Sequence, residues 1–129
     1  FLFSPDAKYL LAFGMPATAN AKGISVNGKF LAIGIGSPYN PTFTPDSKHL
    51  FWMDGIPSDP HRAIFLDGNQ VAQIDYDSRL ATIPGYWEMG ADGVLSVIAS
   101  VDGMIKRLRI TPGSNSSVET LMAKAGRGR

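Results

Sequence analysis

The chain contains no cysteine, which excludes disulfides, thiolate metal sites and a cysteine nucleophile. It has no apolar run near the roughly 18 residues that a membrane-spanning helix needs. It also lacks a large charge of either sign. Twelve Lys and Arg offset 11 Asp and Glu for a net +1, so no global field draws the chain to nucleic acid or to a membrane surface. Long helical periodicity is missing too. Turn formers are plentiful, with 14 Gly and 9 Pro in 129 residues, and the composition is 44% hydrophobic and 18% charged. Such a chain is globular and built from short segments, which favours an all-β fold. Freedom from cysteine leaves the compartment open.

Charge is unevenly spread. Lys106, Arg107, Arg109, Lys124, Arg127 and Arg129 face a single acid, Glu119, in the last stretch of the chain, and a basic end of this kind is expected to be solvated rather than a binding arm. The chain opens on Phe1-Leu2-Phe3-Ser4-Pro5, directly in strand-like sequence. It is therefore expected to be part of a longer polypeptide, and the missing leader carries no information about targeting.

Internal repetition is the strongest signal. Phe3-Ser4-Pro5-Asp6-Ala7-Lys8-Tyr9-Leu10 matches Phe43-Thr44-Pro45-Asp46-Ser47-Lys48-His49-Leu50 forty positions later, and Val26-Asn27-Gly28 matches Leu66-Asp67-Gly68 at the same spacing. A degenerate third copy runs Met89-Gly90-Ala91-Asp92-Gly93-Val94-Leu95. Val101-Asp102-Gly103 then supplies another Asp-Gly turn, so the third unit reads as a shortened terminal copy. Proline fixes φ and the Asp carboxylate bonds nearby amides, so Ser-Pro-Asp-x-Lys makes a tight turn. Asn27-Gly28, Asp67-Gly68 and Asp102-Gly103 are the pairs that two-residue hairpins with positive φ require. Strands are predicted over Tyr9–Phe13, Ile24–Val26, Phe30–Ile33, His49–Met53, Ala63–Leu66, Gln70–Ile74, Val94–Ser100 and Ile105–Ile110. Those that follow the Ser-Pro-Asp turns are apolar on both faces, which demands a layer above and below.

The run Phe-Ser-Pro-Asp-x-Lys-x-Leu, followed by a hairpin with an Asp/Asn-Gly turn, resembles the WD-repeat-like units of TolB-type β-propellers. The resemblance covers most of residues 1–112. It implies an incomplete propeller of antiparallel blades, with units at about 1–40, 41–86 and 87–112, in a bacterial protein of the periplasm or cytoplasm that acts as a binding platform. Three units cannot close a ring that takes 4–8 blades. A longer parent chain is the preferred explanation; the alternative is that copies associate, because open end blades expose apolar faces. Residues 113–129 are read as a linker, a short helix over Thr120–Ala125 and a basic tail. The helix has capping-box spacing at Ser116–Glu119, Leu121 and Met122 on its buried side, Gly126 as its stop and the last blade as its support.

No catalytic constellation stands out. Asp54, Asp59 and His61 share one loop region and are weak candidates for a metal, but their spacing fits neither a zinc nor a calcium pattern. His49 reads as a packed strand residue. Asp75-Tyr76-Asp77 reads as a solvated strand end, and Gly34-Ile35-Gly36-Ser37 lacks what a phosphate loop needs. No nucleophile elbow is present. Trp52 and Trp87 read as blade core or rim rather than as ligand stackers, and Tyr86, Trp87 and Glu88, beside the loop Ile83-Pro84-Gly85, form the candidate binding rim. Arg107 and Arg109 alternate with Leu108 and Ile110, the pattern of an outer strand with one wet face. The expected function is a non-enzymatic propeller scaffold without cofactor, nucleic acid or membrane span, which binds a protein, a ligand or its own remaining blades. Alternatives are the propeller portion of a larger enzyme such as a prolyl-oligopeptidase-like peptidase, and a self-assembling ring.

Overall fold

A computed structural model describes residues 2–14, 23–27, 29–31, 39–55, 59–113 and 115–127. Among these, eleven strands, one 3-10 turn (Leu80–Thr82) and one helix form an all-β, propeller-like fold of antiparallel sheet that curls into a half-barrel. Strands β1 (Leu2–Phe3), β2 (Leu10–Gly14), β3 (Gly23–Val26) and β4 (Lys29–Leu31) make a four-stranded sheet in sequence order. The second sheet begins with β5 (Tyr39–Phe43), β6 (Leu50–Asp54), β7 (His61–Leu66) and β8 (Asn69–Asp75). It continues through β10 (Leu95–Val101) to β11 (Met104–Ile110), while the short β9 (Trp87–Met89) also pairs with β10. A single pair, Ser100 opposite Asp75, links β10 to β8. The strands predicted from sequence appear within a residue or two. Gly28, Ala32, Ile33 and the Gly34–Ser37 segment lie outside the described residues.

The two clear repeats fold identically for a chemical reason. In the first, the Ser4 hydroxyl donates to Asp6 Oδ1 (2.7 Å), which also accepts the Lys8 amide (3.0 Å), and the Ser4 Oγ accepts the Tyr9 amide (3.0 Å). In the second, Thr44 donates to Asp46 (2.6 Å), Asp46 accepts the Lys48 amide (3.0 Å) and Thr44 Oγ1 accepts the His49 amide (3.1 Å). The Lys8 amide and then the Ser4 hydroxyl hold the Asp6 carboxyl below its usual range; for Asp46 the Thr44 hydroxyl leads and the Lys48 amide follows. The third copy keeps the Asp92–Val94 amide bond (3.1 Å) but has Gly90 where the others carry the hydroxyl. The turns at Asp67-Gly68 and Asp102-Gly103 have positive φ at both residues, as expected, and Asn27 does too.

The third unit is organised differently from the expectation. Asn27 joins β3 to β4 and Asp67 joins β7 to β8, the third and fourth strands of their units. Asp102-Gly103 joins β10 to β11, the second and third. The unit is short because no fourth strand follows β11 among the described residues.

The helix α1 (Val118–Arg127) also departs from the sequence reading. Its N-cap is Ser117, whose Oγ accepts the Thr120 amide (3.1 Å) while Thr120 Oγ1 accepts the Ser117 amide (2.8 Å). Thr120, not Glu119, closes the box, and Glu119 instead reaches Lys8 (3.2 Å). The helix runs through Gly126 to Arg127. It seats on the first two units, where the Val118 amide donates to the Lys48 carbonyl (2.9 Å) and the Ser116 hydroxyl to Asp67 Oδ2 (2.9 Å). Leu121 is buried as expected; the Met122 side chain and residues 128–129 lie outside the described part.

Two apolar clusters flank β6, all five of whose residues are buried. Leu50 and Trp52 face the first unit, meeting Tyr9, Leu11, Ile24 and Val26 under the helix residues Val118 and Leu121. Phe51 and Met53 face Leu95, Val97 and Ala99 of β10. Burial on both faces holds for this middle unit alone. In β2 and β10, one face is covered and the other half-exposed, with Leu10, Ala12, Ser96 and Ile98 outward, because among the described residues each of these strands packs face to face against the middle unit alone. Among the described residues no helix is long and apolar enough to cross a membrane.

Candidate functional site

The Ser/Thr-Pro-Asp turns, the turns at Asn27 and Asp67-Gly68, and α1 crowd one end of the sheets, whereas the Asp102-Gly103 turn lies at the other. The opposite end collects the start of β5, the ends of β6 and β8, and the connection from β8 to β9. An open pocket of about 440 Å³ forms there, lined by Tyr39, Asn40, Tyr76, Ala81, Ile83, Gly85, Tyr86 and Trp87. Tyr39 opens β5 and Tyr76 follows β8, so both arrive from strand ends. Tyr86 and Trp87 are held by β9 and its approach, where the Tyr86 carbonyl accepts the Ile98 amide (2.9 Å). Trp87 Nε1 donates to Thr42 Oγ1 (2.7 Å) and ties the wall to β5.

Arg62 sits beneath these rings at 9% exposure. Its Nε donates to Tyr39 Oη (3.2 Å), its Nη1 donates to the carbonyls of Asp59 and His61 (the latter 3.0 Å), and its guanidinium carbon lies 5.0 Å from the Tyr76 ring centre. Gly55 makes room for it, since a Cβ there would collide with Arg62 Cδ. The arginine is thus a support for the aromatic walls, with its Nε and Nη1 donors engaged. The Tyr39 hydroxyl donates in turn to Met53 Sδ (3.0 Å).

Burial shapes the acidity of these phenols. Desolvation raises Tyr39, partly countered by the Arg62 hydrogen bond, and pushes Tyr86 up to about 12, with the neighbouring Tyr39 and Tyr76 adding to the rise. Both are neutral donors at physiological pH. For Tyr86 the folded value exceeds the ordinary value of about 10, so the folded state retains the proton longer than the unfolded one. Its contribution to stability is complete below about pH 10 and is lost as pH rises toward 12. Spectrophotometric titration at about 295 nm is expected to show a tyrosine ionising late, and replacing Tyr86 with Phe removes that late step.

The residues singled out from sequence fare unevenly. Tyr86 and Trp87 line the pocket. Glu88 does not; it is exposed and paired with Ser96 on the other face of β9, because side chains alternate along a strand. Asp54 is wholly buried at the end of β6. Asp59 Oδ1 accepts the His61 amide (2.9 Å), and His61 Nδ1 lies 2.8 Å from Asp75 Oδ1. These three do not converge, and no group of ligating side chains suited to a metal occurs among the described residues. Asp75 and Asp77 likewise face separate partners, the latter gripping Arg79 through both oxygens (3.0 and 2.8 Å). Trp52 lies in the core. Nothing in the sequence marks Tyr39 and Arg62, and Tyr76 stands out there only within a solvated strand end, 37 positions from Tyr39; the forty-residue period, which sets Tyr39 and the end of β8 at one end of a unit, is the available clue. Searches with this chain match no protein-family model, no curated protein and no solved structure.

Proposed function

We propose that the chain is a non-enzymatic scaffold segment of a TolB-like β-propeller whose aromatic pocket holds a neutral, ring-bearing group of a partner protein or small ligand. The observation that carries this reading is the pocket's wall of Tyr39, Tyr76, Tyr86 and Trp87 around about 440 Å³, together with the engagement of Arg62 by Tyr39 and Tyr76. Ring faces favour flat or cyclic groups such as proline and aromatic side chains. Arg62 Nε and Nη1 are held beneath the rings by Tyr39 Oη and by the carbonyls of Asp59 and His61, so these N–H groups are not offered to a ligand. The half-covered outer faces of the first and third units, with Phe3 61% and Ile105 68% exposed, support continuation of the stack by further units of a longer parent or by other copies.

The test is a magnetic-resonance titration of the labelled protein with N-acetylproline methylamide and, separately, indole. Shifts are expected at the Gly85 and Tyr86 amides and at the Trp87 indole. Tyr76→Ala is expected to weaken binding by about tenfold or more, the behaviour of an aromatic anchor. Shifts confined to other surfaces, or affinity unaffected by Tyr76→Ala, would overturn the reading.

A further inference from the structure

In the first two units the third strand is covered by a fourth: β3 pairs with β4, and β7 with β8. In the third unit the third strand is β11, seven residues long and at the limit of its sheet, with no partner on its outer edge among the described residues. A long exposed edge is a template for another strand. In a two-residue hairpin the closing pair, here Val101 and Met104, is hydrogen-bonded. Alternation then turns the N–H and C=O groups of Ile105, Arg107 and Arg109 outward.

The side chains specify what fits. Arg107 and Arg109 project on the outer face with Ile105, Arg107 bonding Ser96 Oγ across β10 (2.9 Å). Lys106 lies on the other face with Leu108 and Ile110, and the latter two pack against the cluster around Phe51 and Met53. We propose that this edge binds an extended acidic segment of a partner protein as the missing fourth strand. Its carboxylates would lie opposite Lys106, Arg107 and Arg109, and its apolar residues opposite Leu108 and Ile110. Opposite charges directly across a ladder are favourable and like charges are not.

That rule also argues against a second copy of this chain. Antiparallel self-pairing centred on Arg107 sets arginine against arginine. The edge strands β1, β4 and β5 carry no carboxylate, and β9, with Glu88, is only three residues long. Strand addition supplies affinity through backbone bonds and specificity through alternate side chains.

The probe is the blocked peptide Val-Glu-Val-Glu-Glu-Val, with Val-Lys-Val-Lys-Lys-Val and a backbone N-methylated acidic version as controls. The acidic peptide is expected to slow amide exchange at Ile105, Arg107 and Arg109, and to bind several-fold less tightly when ionic strength rises from about 0.05 to about 0.5 M. The N-methylated version is expected not to bind. The double change Arg107→Glu/Arg109→Glu is expected to lower affinity for the acidic peptide about tenfold and to favour the lysine peptide. Both side chains are exposed, and circular dichroism together with the milder Arg107→Gln/Arg109→Gln pair separates lost recognition from lost folding. Equal binding of acidic and basic peptides, unchanged exchange at the three amides, or concentration-dependent self-association through β11 would overturn the proposal. None of these results depends on the aromatic pocket, which no residue of β11 lines.

Discussion

Replacing Trp52 with alanine is expected to lower the stability of the fold by about 3–5 kcal/mol, the cost of emptying a large buried aromatic site. Small domains have about 5–15 kcal/mol in total, so this one change should leave much of the protein poised near unfolding. The reason is position. Trp52 is fully buried on the face of β6 that meets the first unit, and its ring stacks on Phe65 at 5.5 Å with the planes 1° apart. Tyr9, Leu11, Val118 and Leu121 belong to the same cluster, so the indole holds the first unit and the helix to the second at once. Its Nε1 is buried without an acceptor among the described residues, and an orphaned donor of this kind costs about 1–3 kcal/mol. Trp52→Phe therefore loses ring volume but relieves that penalty, and is expected to fall within about 1 kcal/mol of the parent. Urea unfolding followed through the remaining tryptophan, Trp87, measures both variants. An alanine variant less than about 1 kcal/mol below the parent would mean that the packing between the first two units does not hold the fold together.

The same cluster shows what the sequence could and could not reveal. A strand with apolar residues at every position, Leu50-Phe51-Trp52-Met53, has nowhere to stand except between two layers, and that inference needs only the chemistry of the side chains. The Phe-Ser/Thr-Pro-Asp repeat was equally legible, because a hydroxyl two residues before a carboxylate builds one turn wherever it occurs. The recurrence of Asn27 and Asp67 at the same spacing has a cause in the structure: each caps the strand after its unit's Ser/Thr-Pro-Asp turn, Asn27 Oδ1 accepting the Leu10 amide (2.7 Å) and Asp67 Oδ1 the Leu50 amide (2.8 Å). The two landmarks are one interaction seen from both ends. Asp102-Gly103 misled because a dipeptide dictates the shape of a turn but not which two strands it joins. Glu88 misled for a simpler reason: Trp87 and Glu88 are neighbours on β9 and face opposite ways, while Tyr86 reaches the pocket from the approach to that strand. The seat of the helix was illegible, since Lys8 and Glu119 are 111 residues apart and no local pattern announces a contact at that range. Tyr39, Tyr76 and Arg62 escaped for the same reason, each arriving from the end of a different strand.

Asp67→Ala is the second substitution with a large expected effect, about 3 kcal/mol. The carboxylate is buried and serves three partners: the Leu50 amide at Oδ1 (2.8 Å), and His49 Nδ1 (2.8 Å) with the Ser116 hydroxyl (2.9 Å) at Oδ2. Hydrogen bonds to a charged group contribute about 1.5–3 kcal/mol, and a buried amide left without its acceptor costs about 1–3. Asp67 also has φ 52°, a left-handed conformation that Asp and Asn tolerate and that costs alanine about 1 kcal/mol or more. Asp67→Asn keeps both the conformation and the oxygen that caps Leu50, and Asn27 already performs this task in the first unit. It is expected to cost about 1 kcal/mol, chiefly through weaker contacts to His49 and Ser116. Asp67→Gly removes the strain but not the lost caps and should fall between the two. The effect reaches beyond the turn, because Ser116 leads into α1. Amide exchange across Val118–Leu121 should quicken in the alanine variant more than exchange across β10, which touches none of these groups. Equal stabilities for the alanine and asparagine variants, or exchange that quickens evenly through the molecule, would show that the carboxylate does not bind the helix to the second unit. The ordering Asn, Gly, Ala, with the helix loosening first, is what a cap shared between a strand and a helix requires.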